Sequence, residues 1–162
     1  MVIEDGSGRE DADSFISVEE ADAYHQRRGN EYWIAASAAN KEAALVRACD
    51  YIEQGYSRLL HGARSTSWQR LSFPRYGIED LRYDEIPRWI KEAQCEAALL
   101  EIRQQGCLSE SWSEGGSLAS EREGEVARSY REGQETIRKY PSIYRILAHH
   151  IKNPSHVKAG RT

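Results

Sequence analysis

The segment Asp84–Ile102, DEIPRWIKEAQCEAALLEI, constrains the fold more than any other part of the chain. Ile86, Ile90, Ala93, Ala97 and Leu100 recur every three or four residues, which puts one apolar stripe on an α-helix with Trp89 beside it. Pro87 falls in the first turn, where a missing N–H is harmless, and Gly106 marks the stop. Such a helix must bury its stripe against other elements, and two more segments carry matching faces. Ser17-Val18-Glu19-Glu20 reads as a capping box, with the Ser17 hydroxyl accepting from the third amide and Glu20 reaching back. It opens a helix over about residues 18–28 that stops at Gly29-Asn30, with Val18, Ala21 and Tyr24 on one face. Another helix starts near Ser37 and places Leu45, Ala48, Cys49 and Ile52 at helical spacing before Gly55 ends it.

Residues 56–83 lack this periodicity. They hold Gly62, Pro74 and Gly77, with Trp68, Leu71 and Phe73 as isolated apolar anchors. A loop of that length is tied down or functional. Beyond Gly106 the chain turns polar (SESWSEGGS), and weak alternation around Glu123-Gly124 predicts a β-hairpin. PSIYRILAHHI then predicts a short helix with Pro141 early and Ile143, Ile146, Leu147 and Ile151 on one side. That helix either folds back onto its own core or docks on another polypeptide. The expected fold is therefore mostly α: a small helical bundle with a long irregular loop, a β-hairpin excursion and a detached C-terminal helix. The expected organisation is a helical core over 1–106, an insert over 107–135, and a C-terminal helix with a basic tail over 136–162.

The chain's 162 residues suffice for one domain with a modest core. No run of about 18 apolar residues occurs, so no membrane-spanning helix is expected, and the acidic start MVIEDGSGREDADS lacks the apolar stretch of a signal peptide. Cys49, Cys95 and Cys107 are odd in number with no CxxC pair, which suits a reducing cytosol and argues against a disulfide framework or a zinc site. The net charge of -4 is unevenly placed: acids crowd Glu4 to Asp22, whereas only Arg and Lys follow Glu135. The basic end can touch phosphate, or the acidic end can meet the basic end of a neighbouring copy, with Glu19 and Glu20 as inter-subunit candidates. The plain alternative is that both ends are simply solvated.

No catalytic group stands out. Cys95 lies mid-helix at the margin of the stripe with no histidine within a turn, so it reads as a structural thiol, and Cys49 does so more firmly. His25, His61, His149, His150 and His156 form no i, i+4 pair and no HExxH; a helix would point His149 and His150 about 100° apart. Gly6-Ser7-Gly8 lacks the strand and the Lys-Ser/Thr of a phosphate loop, and no GxSxG is present. The expectation is a protein that is not an enzyme and needs no metal or cofactor. Arg58, Arg64 and Arg70 interleave with Tyr56, Trp68, Phe73 and Tyr76. Such a pattern can stack bases and hold phosphates, or its aromatics can anchor the loop to the helices.

Taken in order, EDGSGREDADSFISVEEADAYHQRRGN, NKEAALVRACDYIE, LSFPRYGI and DEIPRWIKEAQCEAALLEI resemble a phage family of DnaT-like single-stranded-DNA-binding proteins over about residues 3–105. That family is itself similar to the head–tail connector adaptors, or head completion proteins, of long-tailed phages. The adaptor resemblance implies a structural virion protein of the phage neck, made in the host cytoplasm. It would form a ring, usually of twelve copies, under the portal protein, extend the channel for packaged double-stranded DNA and dock a stopper or tail-proximal protein. The portal-reaching role would then fall on Ile143, Ile146, Leu147 and Ile151 as apolar anchors, with Arg145 and Lys152 as polar contacts. The DnaT-like resemblance implies a replication accessory that binds single strands; the interleaved Arg58, Arg64 and Arg70 are the candidates to face the DNA.

Overall fold

The computed structural model describes residues 1–109, 111–112, 136–137 and 140–152. Its elements in chain order are α1 (Val18–Gln26), α2 (Glu31–Ala35), α3 (Ala38–Tyr56), β1 (Ala63–Arg64), β2 (Arg75–Tyr76), α4 (Arg88–Arg103), β3 (Ser111–Trp112), β4 (Thr136–Ile137) and α5 (Pro141–Leu147).

The helices gather around α4, which packs most extensively on α3 and also meets α5, α2 and α1. Pro87 sits at its N-cap rather than inside its first turn, so Ile86 precedes the helix. The buried set is wider than one stripe. Ile90, Ala93 and Ala97 are joined inside by Gln94, Cys95, Ala98, Leu99 and Glu101. The alanines allow close approach on two sides at once, so α3 covers one face and α5 another. Cys95, on the side of α1, is fully enclosed rather than marginal.

The buried polar groups on α4 are all engaged. Gln94 accepts from the Phe15 amide at 3.0 Å and donates to Ser14 Oγ at 2.7 Å and to the Leu45 carbonyl at 2.9 Å. Glu101 accepts from the amides of Gly106 and Leu108 and pairs with Arg47 at 2.7 Å. These bonds and the flanking Arg47 charge hold its carboxyl below the usual range against the opposing effect of burial. Its two amide contacts also close the chain just beyond the helix.

The N-terminal segment lies along the core through a bridge between Ile3 and Ser14. Buried Glu4 curls the chain over itself, accepting from the amides of Gly6 and Gly8 on one oxygen and Arg9 on the other, at 2.8 to 3.0 Å. Gly6 has φ +97°, and a Cβ there would lie 2.0 Å from the Asp84 carbonyl oxygen, so only glycine fits. The Gly6 and Gly8 amides thus serve an internal carboxylate, and the Ser7 amide donates to Asp5 at 3.0 Å. The Ser17 capping box forms as expected, with both bonds at 3.2 Å. The sequence did not predict α2. It is held by buried Trp33, whose Nε1 donates to Asp22 at 2.7 Å. Gly55 lies within the last turn of α3 rather than ending it.

The expected fold class holds: a mostly helical bundle with an irregular loop, a short β pairing and a separate C-terminal helix. β3 pairs antiparallel with β4, Ser111 opposite Ile137 and Trp112 opposite Thr136. The turn predicted at Glu123-Gly124, and the tail bearing His156, Lys158 and Arg161, lie outside the described residues. Of the two fates open to the C-terminal helix, the chain takes the first. Ile143 and Leu147 on α5 are fully buried within the same core as Ile90 and Ala97. Burial of each such side chain contributes about 1.5–3 kcal/mol. Beyond α5, Ile151 bridges Leu60, and the Lys152 amide donates to the Leu59 carbonyl at 2.7 Å, which fastens the chain to the long loop.

Candidate nucleic-acid interface

The long loop over residues 57–87 is not loose. β1 and β2 pair antiparallel, Ala63 opposite Tyr76 and Arg64 opposite Arg75. Gln69 is buried; its Nε2 donates to the carbonyls of Leu71 and Pro74 at 2.9 and 3.0 Å, and its oxygen accepts from the Thr66 amide at 2.8 Å. Arg75 spreads its guanidinium over the carbonyls of His61, Ser72, Leu60 and Gly62, at 2.7 to 3.4 Å. Burial lowers its pKa, and the nearby Arg64 charge acts in the same direction. Phe73 stacks edge-on against both Phe15 and Trp89 from beneath.

This frame carries large aromatic side chains in water. Trp68 is 65% exposed, Tyr76 55% and Tyr83 69%. Their backbones are linked: Tyr76 is in the β ladder, Ser65 Oγ donates to the Tyr83 carbonyl at 2.6 Å, and Trp68 lies in the turn closed between Thr66 and Gln69. Tyr56 and Phe73, from the sequence-predicted aromatic set, are instead buried anchors. Tyr83 went unnoticed in the sequence; the signal was a lone aromatic among Arg82, Asp84 and Glu85, where no apolar face exists to bury it.

The three arginines proposed to face DNA separate into different roles. Arg58 is exposed and makes no hydrogen bond or ion pair among the described residues. Arg64 lies 3.8 Å from Glu53 and donates weakly to the Gln69 carbonyl, leaving much of its head in water. Burial raises the Glu53 carboxyl above its ordinary range. Arg70 is committed to structure: it donates to the Ala12 carbonyl and to Asp13, and lies 3.5 Å from Asp50. It staples the N-terminal segment to α3.

The residues assigned to portal docking are divided as well. Ile143 and Leu147 are enclosed by the chain's own core, and Ile146 and Ile151 are half-buried. Only Arg145 and Lys152 stand out in solvent, because α5 spends its apolar face covering α4. Glu20 is used in the capping box and in a 3.0 Å pair with Lys91, whereas Glu19 is exposed. Burial raises the Cys95 thiol to about 12 and takes the Cys49 thiol well above its ordinary value, which leaves both in the unreactive form. Among the described residues no group of three or more His, Cys, Asp or Glu is arranged to hold a metal ion, and no helix is long and apolar enough to cross a membrane.

The described residues thus form a small helical bundle whose long loop carries exposed aromatic side chains. The family model described as "Putative DnaT-like ssDNA binding protein" matches residues 1–162, and the chain belongs to that family. No curated protein and no solved structure matches it.

Proposed function

We propose that the protein binds single-stranded DNA on the outer side of its 57–87 loop, without catalysis and without a cofactor. The observation that carries this reading is the exposure of Trp68, Tyr76 and Tyr83 on a backbone pinned by Gln69 and Arg75. A rigid frame holding aromatic rings in water has already met the ordering cost of a stacking platform. The exposed Arg58 and the half-solvated Arg64 are the charges this reading offers to the sugar-phosphate backbone. Membership of a DnaT-like family supports the same ligand. With a net charge of -4 the electrostatic share is limited, so stacking must provide most of the affinity. The test is anisotropy of a labelled oligothymidylate titrated with the full chain. Saturable binding is expected, and Trp68→Ala should weaken it by about 1–3 kcal/mol. Binding that never saturates, or that ignores this substitution, would overturn the reading.

A second reading, as a phage head–tail adaptor, is favoured by a different surface. On α2, Tyr32 is 62% and Ile34 49% exposed, and Ala35, Ala38 and Ala39 beside them are exposed too. Such apolar surface suits contact with another protein. In this reading copies of the chain ring the DNA channel of the virion neck between a portal protein and a stopper, with Arg145 and Lys152 as polar contacts. Electron microscopy of the protein mixed with a portal would show an added ring, and its absence would remove this alternative.

A further inference from the structure

A second feature lies where the chain's end is fastened to the loop. There a cavity of about 380 Å³ is lined by His61 and Glu79 from the loop, Trp89 from α4, and His149 and His150 just beyond α5. Its volume is in the range of small-ligand sites. The walls are positioned by backbone: the His61 amide donates to the His150 carbonyl at 3.3 Å, and Lys152 is tied to Leu59. His150 is held flat on Trp89, ring centroids 4.0 Å apart and planes 4° from parallel. His61 and His149 are exposed. Three imidazoles from two distant parts of the chain thus converge on one hollow.

We infer that this hollow is an anion site that takes a backbone phosphodiester, gripped by His61, His149 and His150 when they are protonated. The inference rests on the single-strand reading and adds a phosphate-holding element to it. A protonated imidazole has two N–H donors and a positive charge, which suits a non-bridging phosphate oxygen. Gly77 in the lining directly follows the exposed Tyr76, so the hollow adjoins the proposed aromatic surface along the chain. The His150 imidazole is held below its ordinary range, first by burial and then by the charges of His149 and His61. An anion among them would relieve that repulsion. Glu79 is the acid in the lining; its carboxylate repels an incoming phosphate and competes with it for the imidazole N–H donors.

The histidine ring resonances of the full-length protein report on this directly. Inorganic phosphate at pH 6 should shift the ring resonances of His61, His149 and His150 saturably, and those of His25 should stay in place. His61→Gln and His149→Gln, both at exposed positions, should each weaken oligothymidylate binding about 5-fold at pH 6 and less than about 2-fold at pH 8. Glu79→Gln should strengthen binding at pH 6. Unmoved ring resonances, or histidine variants that match the parent at both pH values, overturn the inference. A chain that takes phosphate at these histidines but ignores the oligonucleotide keeps the anion site and loses the strand reading. One that binds the oligonucleotide without disturbing these histidines keeps the strand reading and loses the site.

Discussion

The side-chain oxygen of Gln94 accepts the backbone amide of Phe15 at 3.0 Å, joining residues 79 positions apart in the chain. The same amide group serves Ser14 Oγ and the Leu45 carbonyl, so one side chain in the middle of α4 knits the N-terminal segment to α3. Gln94→Leu keeps much of the volume but removes three buried hydrogen bonds and takes the Phe15 amide's acceptor away. We expect a loss of about 2–4 kcal/mol, read as a lower midpoint in urea with the slope unchanged.

Arg75 does the equivalent work for the loop. Arg75→Met should remove its bonds to four carbonyls and speed amide exchange through residues 60–76, at a cost of about 2–3 kcal/mol. Arg75→Lys should restore only part of this, because an ammonium lacks the planar reach of the guanidinium. Exchange as slow as in the parent would show that the β1–β2 ladder stands without it.

Arg58 and Arg70 should behave oppositely. Arg70→Ala breaks ties to Ala12, Asp13 and Asp50 and should cost about 1 kcal/mol of stability, given how exposed the side chain is. Arg58→Ala should leave stability within about 0.5 kcal/mol and reduce the salt dependence of oligonucleotide binding by roughly one counterion. Parallel urea melts and salt titrations of both variants check the contrast.

His25 gives the fold an acid sensitivity. It is fully buried between Tyr24 and Trp33, with Asn30 donating to Nδ1 at 2.8 Å and the Cys95 backbone nearby, and Nε2 meets no well-formed hydrogen bond among the described residues. Burial first, and the Arg28 charge second, lower its pKa to about 4 from an ordinary value near 6.5. Between those values the unfolded chain binds the extra proton. Stability is therefore full above about pH 6.5, falls as the pH drops towards 4, and loses up to about 3 kcal/mol. The lowered His150 adds a loss of the same sign. Buried-site substitution His25→Phe should flatten the part due to His25, as measured by urea midpoints at pH 7 and pH 4.5.

Thiol chemistry should be silent in the native state. All three cysteines are buried, and burial holds the Cys95 and Cys49 thiols protonated. A disulfide reagent at pH 8 should label the native protein at least about 100-fold more slowly than the unfolded chain. Rapid labelling of one thiol in the native protein would contradict the enclosure of α4.

Local signals were the legible ones. Ser17 and Glu20 announce α1 because a capping box is complete within four residues, and the α4 repeat announces a helix because its period runs long enough to count. α2 escaped notice because five residues are too few for a period, and a single Trp33 carries its burial. The second buried face of α4 was hidden for another reason: Ala98 and Cys95 look neutral in sequence until the fold encloses them, Cys95 on the side of α1. Arg58 and Arg70 look alike in sequence, and only the position of Asp13 and Asp50 separates binding charge from internal tie. The histidine hollow was invisible for the same reason, since His61 and His149 meet only through the Leu60–Ile151 bridge.

The two-sided enclosure of α4 also sets an order of events at the ribosome. Residues 88–103 leave the exit tunnel well before Ile143 and Leu147, so the nascent chain must carry a half-covered helix through synthesis of everything between them. Its greasy flank is then exposed to chaperones and to neighbouring chains, and that interval is when this protein is most open to aggregation.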